Sequence, residues 1–214
     1  MASTLYRSLQ LSVFVQLITG IIELFLLRMK APPSVLFLKQ LLGLDVAVQF
    51  IEATFYIYWL VQFKTISNVT PTRYYDWAIT TPTMLLTLIA YLMYVKQPDI
   101  RWDMLYQEWL PMGTVVVLNA LMLWCGYLGE IGQMPVGQSV ALGFLPFVLY
   151  FYIIYDRYVT SESSLFYYFV VVWALYGVAA MLPYGSKNAA YNVLDLFSKN
   201  FFGLFLGYLI YTKN

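Results

Sequence analysis

The sequence contains no histidine and a single cysteine, Cys125. Without histidine, Ser-His-Asp catalysis, haem ligation and the common zinc sites are closed to it, and one thiol cannot close an internal disulfide. Charge is scarce as well. Asp, Glu, Lys and Arg make up 11% of 214 residues, whereas a water-soluble domain carries about 25%. Twelve basic residues against eleven acidic ones leave a net charge of +1, so no broad basic field is available to nucleic acid. These absences exclude nucleic-acid binding and most enzyme classes, and no enzymatic turnover is expected. What the chain has in abundance is apolar surface, at 61% of residues, and aromatic rings, at 19%. One core of this size cannot shelter so much, and the solvent for most of it is expected to be lipid.

A membrane-spanning helix needs about 20 mostly apolar residues. Seven such runs are bounded by charges, Pro and Gly: 5–27, 35–63, 72–95, 109–129, 136–155, 165–182 and 189–211. Their short polar connectors predict an antiparallel all-α bundle of seven transmembrane helices, a single domain over 1–214, and helices of this length exclude a strand barrel. Positive charge sets the expected orientation. With the N-terminus outside, Arg28, Lys30, Lys39, Lys96, Arg101, Arg157 and Lys213 fall on the cytoplasmic side, against Arg7, Lys64 and Lys187 on the outer side. The expectation is an integral multi-pass protein of the cell membrane, N-terminus outside and C-terminus cytoplasmic.

Ionisable groups inside a span are costly and therefore functional by default. Glu23, Asp45, Glu52, Arg73, Asp76, Asp195 and Lys199 are such groups. Helical spacing puts Arg73, Asp76 and Thr80 on one face of the third span, and Asp195 and Lys199 on one face of the seventh. Two cations and two carboxylates sum to zero, which makes their burial tolerable. A structural ion-pair cluster and a reactive site both fit this set. Lys199 is the informative member, because a lysine amid apolar and aromatic residues either pairs or reacts. Desolvation favours its neutral amine, which condenses with an aldehyde to a Schiff base. Once protonated, that imine needs a carboxylate counterion, which Asp195, one turn away, and Asp76 can supply.

The third span reads Arg73-Tyr-Tyr-Asp76-Trp77-Ala-Ile-Thr80-Thr81-Pro82, and the seventh Tyr191-Asn-Val-Leu-Asp195-Leu-Phe-Ser-Lys199-Asn-Phe-Phe-Gly203. In this order and on these spans, the two motifs resemble the microbial (type 1) rhodopsins of the proteorhodopsin-like or viral branches, and the resemblance covers the whole chain. It implies all-trans retinal bound covalently to Lys199 as a protonated Schiff base. Asp76 would be the primary counterion and proton acceptor, Asp195 the second counterion, and Arg73 a cation tied to both. The resemblance also implies a pocket in which Trp77 and Trp173 sandwich the polyene, whose flat body gains from aromatic faces. Tyr58 and Tyr176 would hydrogen-bond Asp195, Thr81 would reach Asn119, and Met122 and Gly126 would line the ring end. Met84 stands at the family's colour-tuning position, where an apolar residue implies green absorption, and Ser198 stands beside the Schiff base.

The chain also departs from the pattern. Where pumps of the bacteriorhodopsin type place a carboxylic proton donor, three helical turns from the acceptor and about 16 Å along the axis, it has Thr87. Reprotonation would then be slow, or supplied by another group or by water. The paired release glutamates are absent, with Lys187 near one of those positions, and Gly177 replaces a proline common in relatives. In the fifth span Phe144, Pro146 and Phe147 occupy the region of the family's pocket tryptophan. Asp45, Gln49, Glu52 and Tyr56 form a polar stripe on the second span. It lies about 150° around the helix from Tyr58 at 3.6 residues per turn, so an ion path or a subunit interface, with Glu23 as neighbour, both fit. The resulting expectation is a slow outward light-driven proton pump with an Asp-Thr-Thr triplet. The alternatives are a light-gated cation channel using Glu52 and Asp45, or a sensor signalling to a partner protein. Expected partners are the lipid bilayer, protons or other cations, and further copies of the chain, since relatives form trimers and pentamers.

Overall fold

A computed structural model of the chain describes residues 2–160 and 164–213. These residues form helices and no strand. Seven segments cross the bundle: α1 (Ala2–Arg28), α2 (Leu36–Val61), α3 (Thr70–Lys96), α5 (Trp109–Glu130), α6 (Val136–Tyr158), α7 (Ser164–Ala180), and a last one made of α8 (Tyr184–Asp195), a π-helical turn (Leu196–Asn200) and α9 (Phe201–Thr212). A short helix α4 (Trp102–Gln107) lies in the connector after α3. Proline sets many of the boundaries. Pro32, Pro135 and Pro183 immediately precede helical segments and Pro71 lies in the first turn of α3, positions where its missing N–H costs nothing and its fixed φ suits a helix start.

Packing closes the segments into a ring in chain order, α1 on α2, α2 on α3, α3 on α5, α5 on α6, α6 on α7, α7 on α8, and α8 and α9 back on α1. The radial pattern is inverted relative to a water-soluble protein. On α2, Phe50 is 75% exposed, while Asp45 and Glu52 are 1% and 0% exposed. An apolar side chain facing outward is favourable in lipid but forfeits about 1.5–3 kcal/mol in water. Among the described residues six helices are long and apolar enough to cross a membrane, and Ser164–Ala180 is a shorter apolar helix. The described helix of the sixth span stops at Ala180, where Met181 N–H and Leu182 N–H tighten onto Val178 and Ala179 carbonyls ahead of Pro183. The seventh begins earlier than its apolar run, at Tyr184, because the polar residues Asn188 and Asn192 find partners inside the bundle.

Candidate functional site

Lys199 lies in the π-helical turn and is 1% exposed. Such turns insert a residue into the helical repeat and occur often at functional sites. Its Nζ donates to Asp76 Oδ2 at 2.9 Å and lies 3.5 Å from Asp195 Oδ1 and 3.6 Å from Glu52 Oε1. Three carboxylates from three helical segments therefore surround one ammonium. The expected balance of two cations and two carboxylates is corrected to two and three, because α2 packs between α1 and α3 with Glu52 turned inward.

Asp195 is held on both oxygens. Tyr56 donates to Oδ2 at 2.5 Å and Tyr176 to Oδ1 at 2.7 Å, and the Tyr176 hydroxyl also pairs with Ser198 Oγ at 2.8 Å. Tyr58, the expected partner on α2, is instead 53% exposed. Two residues along a helix turn the side chain through about 200°, so only one of the two tyrosines can face the bundle. The same correction applies to the polar stripe. It points into the protein rather than at a neighbouring copy: Tyr56 reaches Asp195, Glu52 faces Lys199, and Gln49 joins Asp45 to Glu23 of α1.

Arg73 pairs with Asp195 at 3.5 Å, and no ion pair joins it to Asp76 among the described residues. The expected tie to both carboxylates fails because the guanidinium is drawn elsewhere. Its Nε donates to Asn188 Oδ1 at 2.9 Å, its Nη1 to the Tyr56 hydroxyl at 3.2 Å, and its Nη2 to Asn192 Oδ1 and to the Asn188 carbonyl. The plane sits 4.7 Å over the Trp59 ring, a cation–π contact that burial strengthens. Asn188 is fixed in turn by Thr70 and Asn192 by Ser8. Lys187 is paired with Glu130 at 2.7 Å.

A cavity ends at Lys199. Of the expected pocket residues, Trp77, Thr81, Met84, Met122, Gly126, Trp173, Tyr176 and Ser198 line it, together with Asp195. Asn119 stands one layer behind, donating to Thr81 Oγ1 at 2.8 Å, and Tyr58 takes no part. Thr80 Oγ1 donates to the Asp76 backbone carbonyl at 2.9 Å, and Thr87 Oγ1 to the Thr83 carbonyl at 2.9 Å. Both hydroxyl hydrogens are thus engaged inside α3, leaving the oxygens able only to accept. Phe144 and Phe147 line the cavity from α6. The Phe144 ring lies so near Gly177 that a Cβ there would meet it at 2.6 Å, which explains why glycine rather than a larger residue occupies that position of α7. Tyr74 and Tyr191 complete the wall and were missed, although each is one helical turn from a recognised residue, Trp77 and Asp195. Asn188 and Asn192 were missed as partners of Arg73, and Gln49 stood out only as a member of the stripe, because an amide does not show in a sequence which group it will bond.

A family model described as bacteriorhodopsin-like protein matches residues 5–213. The crystal structure of the viral rhodopsin OLPVRII is 30% identical and superposes with a TM-score of 0.85 over 98% of both chains. The blue light-absorbing proteorhodopsin from Med12 is 20% identical, with a TM-score of 0.76 over 97% of this chain and 96% of that one. Xanthorhodopsin, a light-driven ion pump with dual chromophore, is 18% identical, with a TM-score of 0.74 over 99% of this chain and 94% of that one. At the identities of the last two, the likeness is one of fold. Comparison with curated protein sequences returned no match. Seven bundle segments, a buried lysine ringed by carboxylates at the end of a cavity, and a family match over nearly the whole length lead to one conclusion: the chain belongs to the bacteriorhodopsin-like family of microbial rhodopsins and is an integral multi-pass protein of the lipid bilayer.

Proposed function

We propose that the chain is a light-driven outward proton pump of the cell membrane, oriented with its N-terminus outside, that carries all-trans retinal on Lys199. The observation that carries this reading is the 2.9 Å contact between Lys199 Nζ and Asp76 Oδ2 in a fully buried site. The residues present fit the chromophore. The cavity ending at Lys199 is walled by Trp77, Trp173, Met84, Met122 and Phe147, apolar and aromatic surfaces suited to a long flat polyene. Bound there as a protonated Schiff base, retinal supplies visible-light absorption and an isomerisation that unsettles the proton on the lysine nitrogen.

The chain's own groups then divide the work. Asp76 Oδ2 is already in line to take that proton, while its Oδ1 has no hydrogen-bond partner among the described residues. Asp195, held by two phenols and facing Arg73, is the fixed anion of the site. Arg73, bonded at every nitrogen, keeps a positive charge on the side away from the cavity. Met84, wholly buried against the cavity, favours green absorption. Thr87 offers no ionisable group, so return of a proton to Lys199 takes another route and turnover is slow.

A second reading, a light-gated cation channel, is favoured by one observation. Two polar clusters lie between α1, α2 and the last segment: Glu23, Asp45, Gln49 and Asn200 form one, and Glu52, Lys199, Asp195, Tyr56, Arg73, Asn192 and Ser8 form the other. Photocurrent measured against voltage in retinal-supplied cells tests both. A current of fixed outward sign supports the pump. Reversal with the cation gradient transfers the function to the channel, and absorption without current defeats both in favour of signalling to a partner protein.

A further inference from the structure

Away from the cavity, α1, α2 and α9 enclose a second ionisable cluster that the proposed pump has not used. Gln49 Nε2 donates to Glu23 Oε1 at 2.5 Å and to Asp45 Oδ2 at 3.0 Å, so one amide bridges two carboxylates. Both acids are buried, at 0% and 1% exposure. The wall opposite is Gly203 of α9: a Cβ there would overlap both Asp45 Oδ2 and Glu23 Oε1. Only glycine lets the two oxygens crowd that spot. No Lys or Arg forms an ion pair with either acid among the described residues, and Lys199 is committed to three other carboxylates.

At rest, two adjacent carboxylates in a low-dielectric site with no compensating cation incur a steep penalty if both are charged, so one proton is retained between them and, once given up, is quickly replaced. The cluster also has acceptors waiting. Among the described residues Glu23 Oε2 and Asp45 Oδ1 have no hydrogen-bond partner, and neither does Oδ1 of the wholly buried Asn200, whose Nδ2 donates to Gln49 at 3.0 Å and to Thr19 at 2.8 Å. A hydroxyl hydrogen on one carboxyl is what such orphaned oxygens lack.

We propose that Glu23 and Asp45 form a carboxyl–carboxylate dyad that holds one proton between them, and that this proton is the one returned to Lys199 once Asp76 has taken the original. The second half of the proposal rests on the pump reading above. Gly203 is four residues beyond Lys199, about 6 Å along the helix axis, and the dyad lies on the opposite side of Lys199 from Arg73. Glu52, whose two oxygens have no hydrogen-bond partner among the described residues, stands next along α2 from the dyad and 3.6 Å from Lys199. In the return step the dyad O–H bond breaks and an N–H bond forms at the Lys199 nitrogen. The dyad is then left doubly negative until it takes a proton from the solvent on its own side. Glu23, Asp45, Glu52 and Lys199 are the ionisable groups that face one another along this line.

Infrared spectroscopy of the full chain tests the proposal with and without retinal. The retinal-free protein in the dark is expected to show a carboxylic-acid C=O stretch, which a carboxylate lacks, and Glu23→Gln and Asp45→Asn are each expected to remove or shift it. In the retinal-loaded protein the same band is expected to bleach and return within each photocycle. Asp45→Asn is expected to slow recovery of the dark absorption at least tenfold, and a small membrane-permeant weak acid such as azide to restore the speed. That rescue distinguishes a lost proton source from a damaged fold. A dark spectrum with no such band, or a band indifferent to both substitutions, overturns the dyad. A band that stays constant through the cycle, with recovery unchanged in Asp45→Asn, overturns its role as proton source. Photocurrent that reverses sign with the cation gradient would defeat the pump reading, while the dark band of the retinal-free protein tests the dyad independently.

Discussion

The two halves of the bundle on either side of Lys199 are both buried and both polar, yet they are built differently. Around Arg73 every guanidinium nitrogen has an acceptor, the acceptors Asn188 and Asn192 are themselves held by Thr70 and Ser8, and Trp59 covers the plane. Around Glu23 and Asp45 no ion pair forms among the described residues, and oxygens on Glu23, Asp45, Asn200 and Glu52 are left without hydrogen-bond partners there. A fully satisfied network is rigid, whereas one with spare acceptors can take up and release protons at little structural cost. The first half is therefore suited to holding a charge in place and the second to exchanging one.

The largest way to break this contrast is to remove its centre. Lys199→Ala is expected to abolish visible absorption after retinal addition. It also leaves three buried carboxylates without their ammonium, at a cost of about 3–5 kcal/mol in stability, so thermal denaturation should shift strongly as well. Next in size, Asp76→Asn is expected to eliminate light-driven transport and to shift absorption to the red, through loss of negative charge near the Lys199 nitrogen; full pumping by that variant would remove Asp76 as acceptor. On the rigid side, Asn192→Leu strips a buried acceptor from Arg73 and is expected to destabilise by about 1–3 kcal/mol, read from the denaturation midpoint in detergent. The two helix α2 tyrosines give a finer test. Tyr56→Phe loses a hydrogen bond to a carboxylate and is expected to cost about 1.5–3 kcal/mol, while Tyr58→Phe on the lipid face should stay within about 0.5 kcal/mol. Equal effects would mean that the facing of α2 is wrong. The smallest expected effect belongs to Thr87→Asp, which should speed recovery of the dark state modestly where the dyad already supplies protons, and markedly in an Asp45→Asn background.

The positions of the seven spans were legible because apolar runs of membrane length have few other uses. Lys199, Asp76 and Asp195 were legible for the complementary reason, that charge inside such a run is too costly to be incidental. Tyr56 was visible only as a member of a stripe. Choosing it over Tyr58 required knowing which side of α2 faces the bundle, and both flanks of that helix carry aromatic residues. The approach of Glu52 to Lys199 was hidden for the same reason. Gly203 had no meaning in the sequence beyond closing a motif, since its part as the wall against which two carboxylates lie depends on α1 and α2 arriving there together.

By itself, then, the sequence determined that this is a seven-span membrane protein with a lysine and several carboxylates placed inside its spans, because transfer of charge into lipid is so unfavourable that each exception is informative. Only the tertiary structure decided that three carboxylates rather than two surround Lys199, that Arg73 is bound to amides and to Asp195 instead of Asp76, and that Glu23 and Asp45 meet across Gly203. Those outcomes depend on the rotation of each helix about its own axis. That rotation is set by packing among all the segments at once, and no local run of residues encodes it.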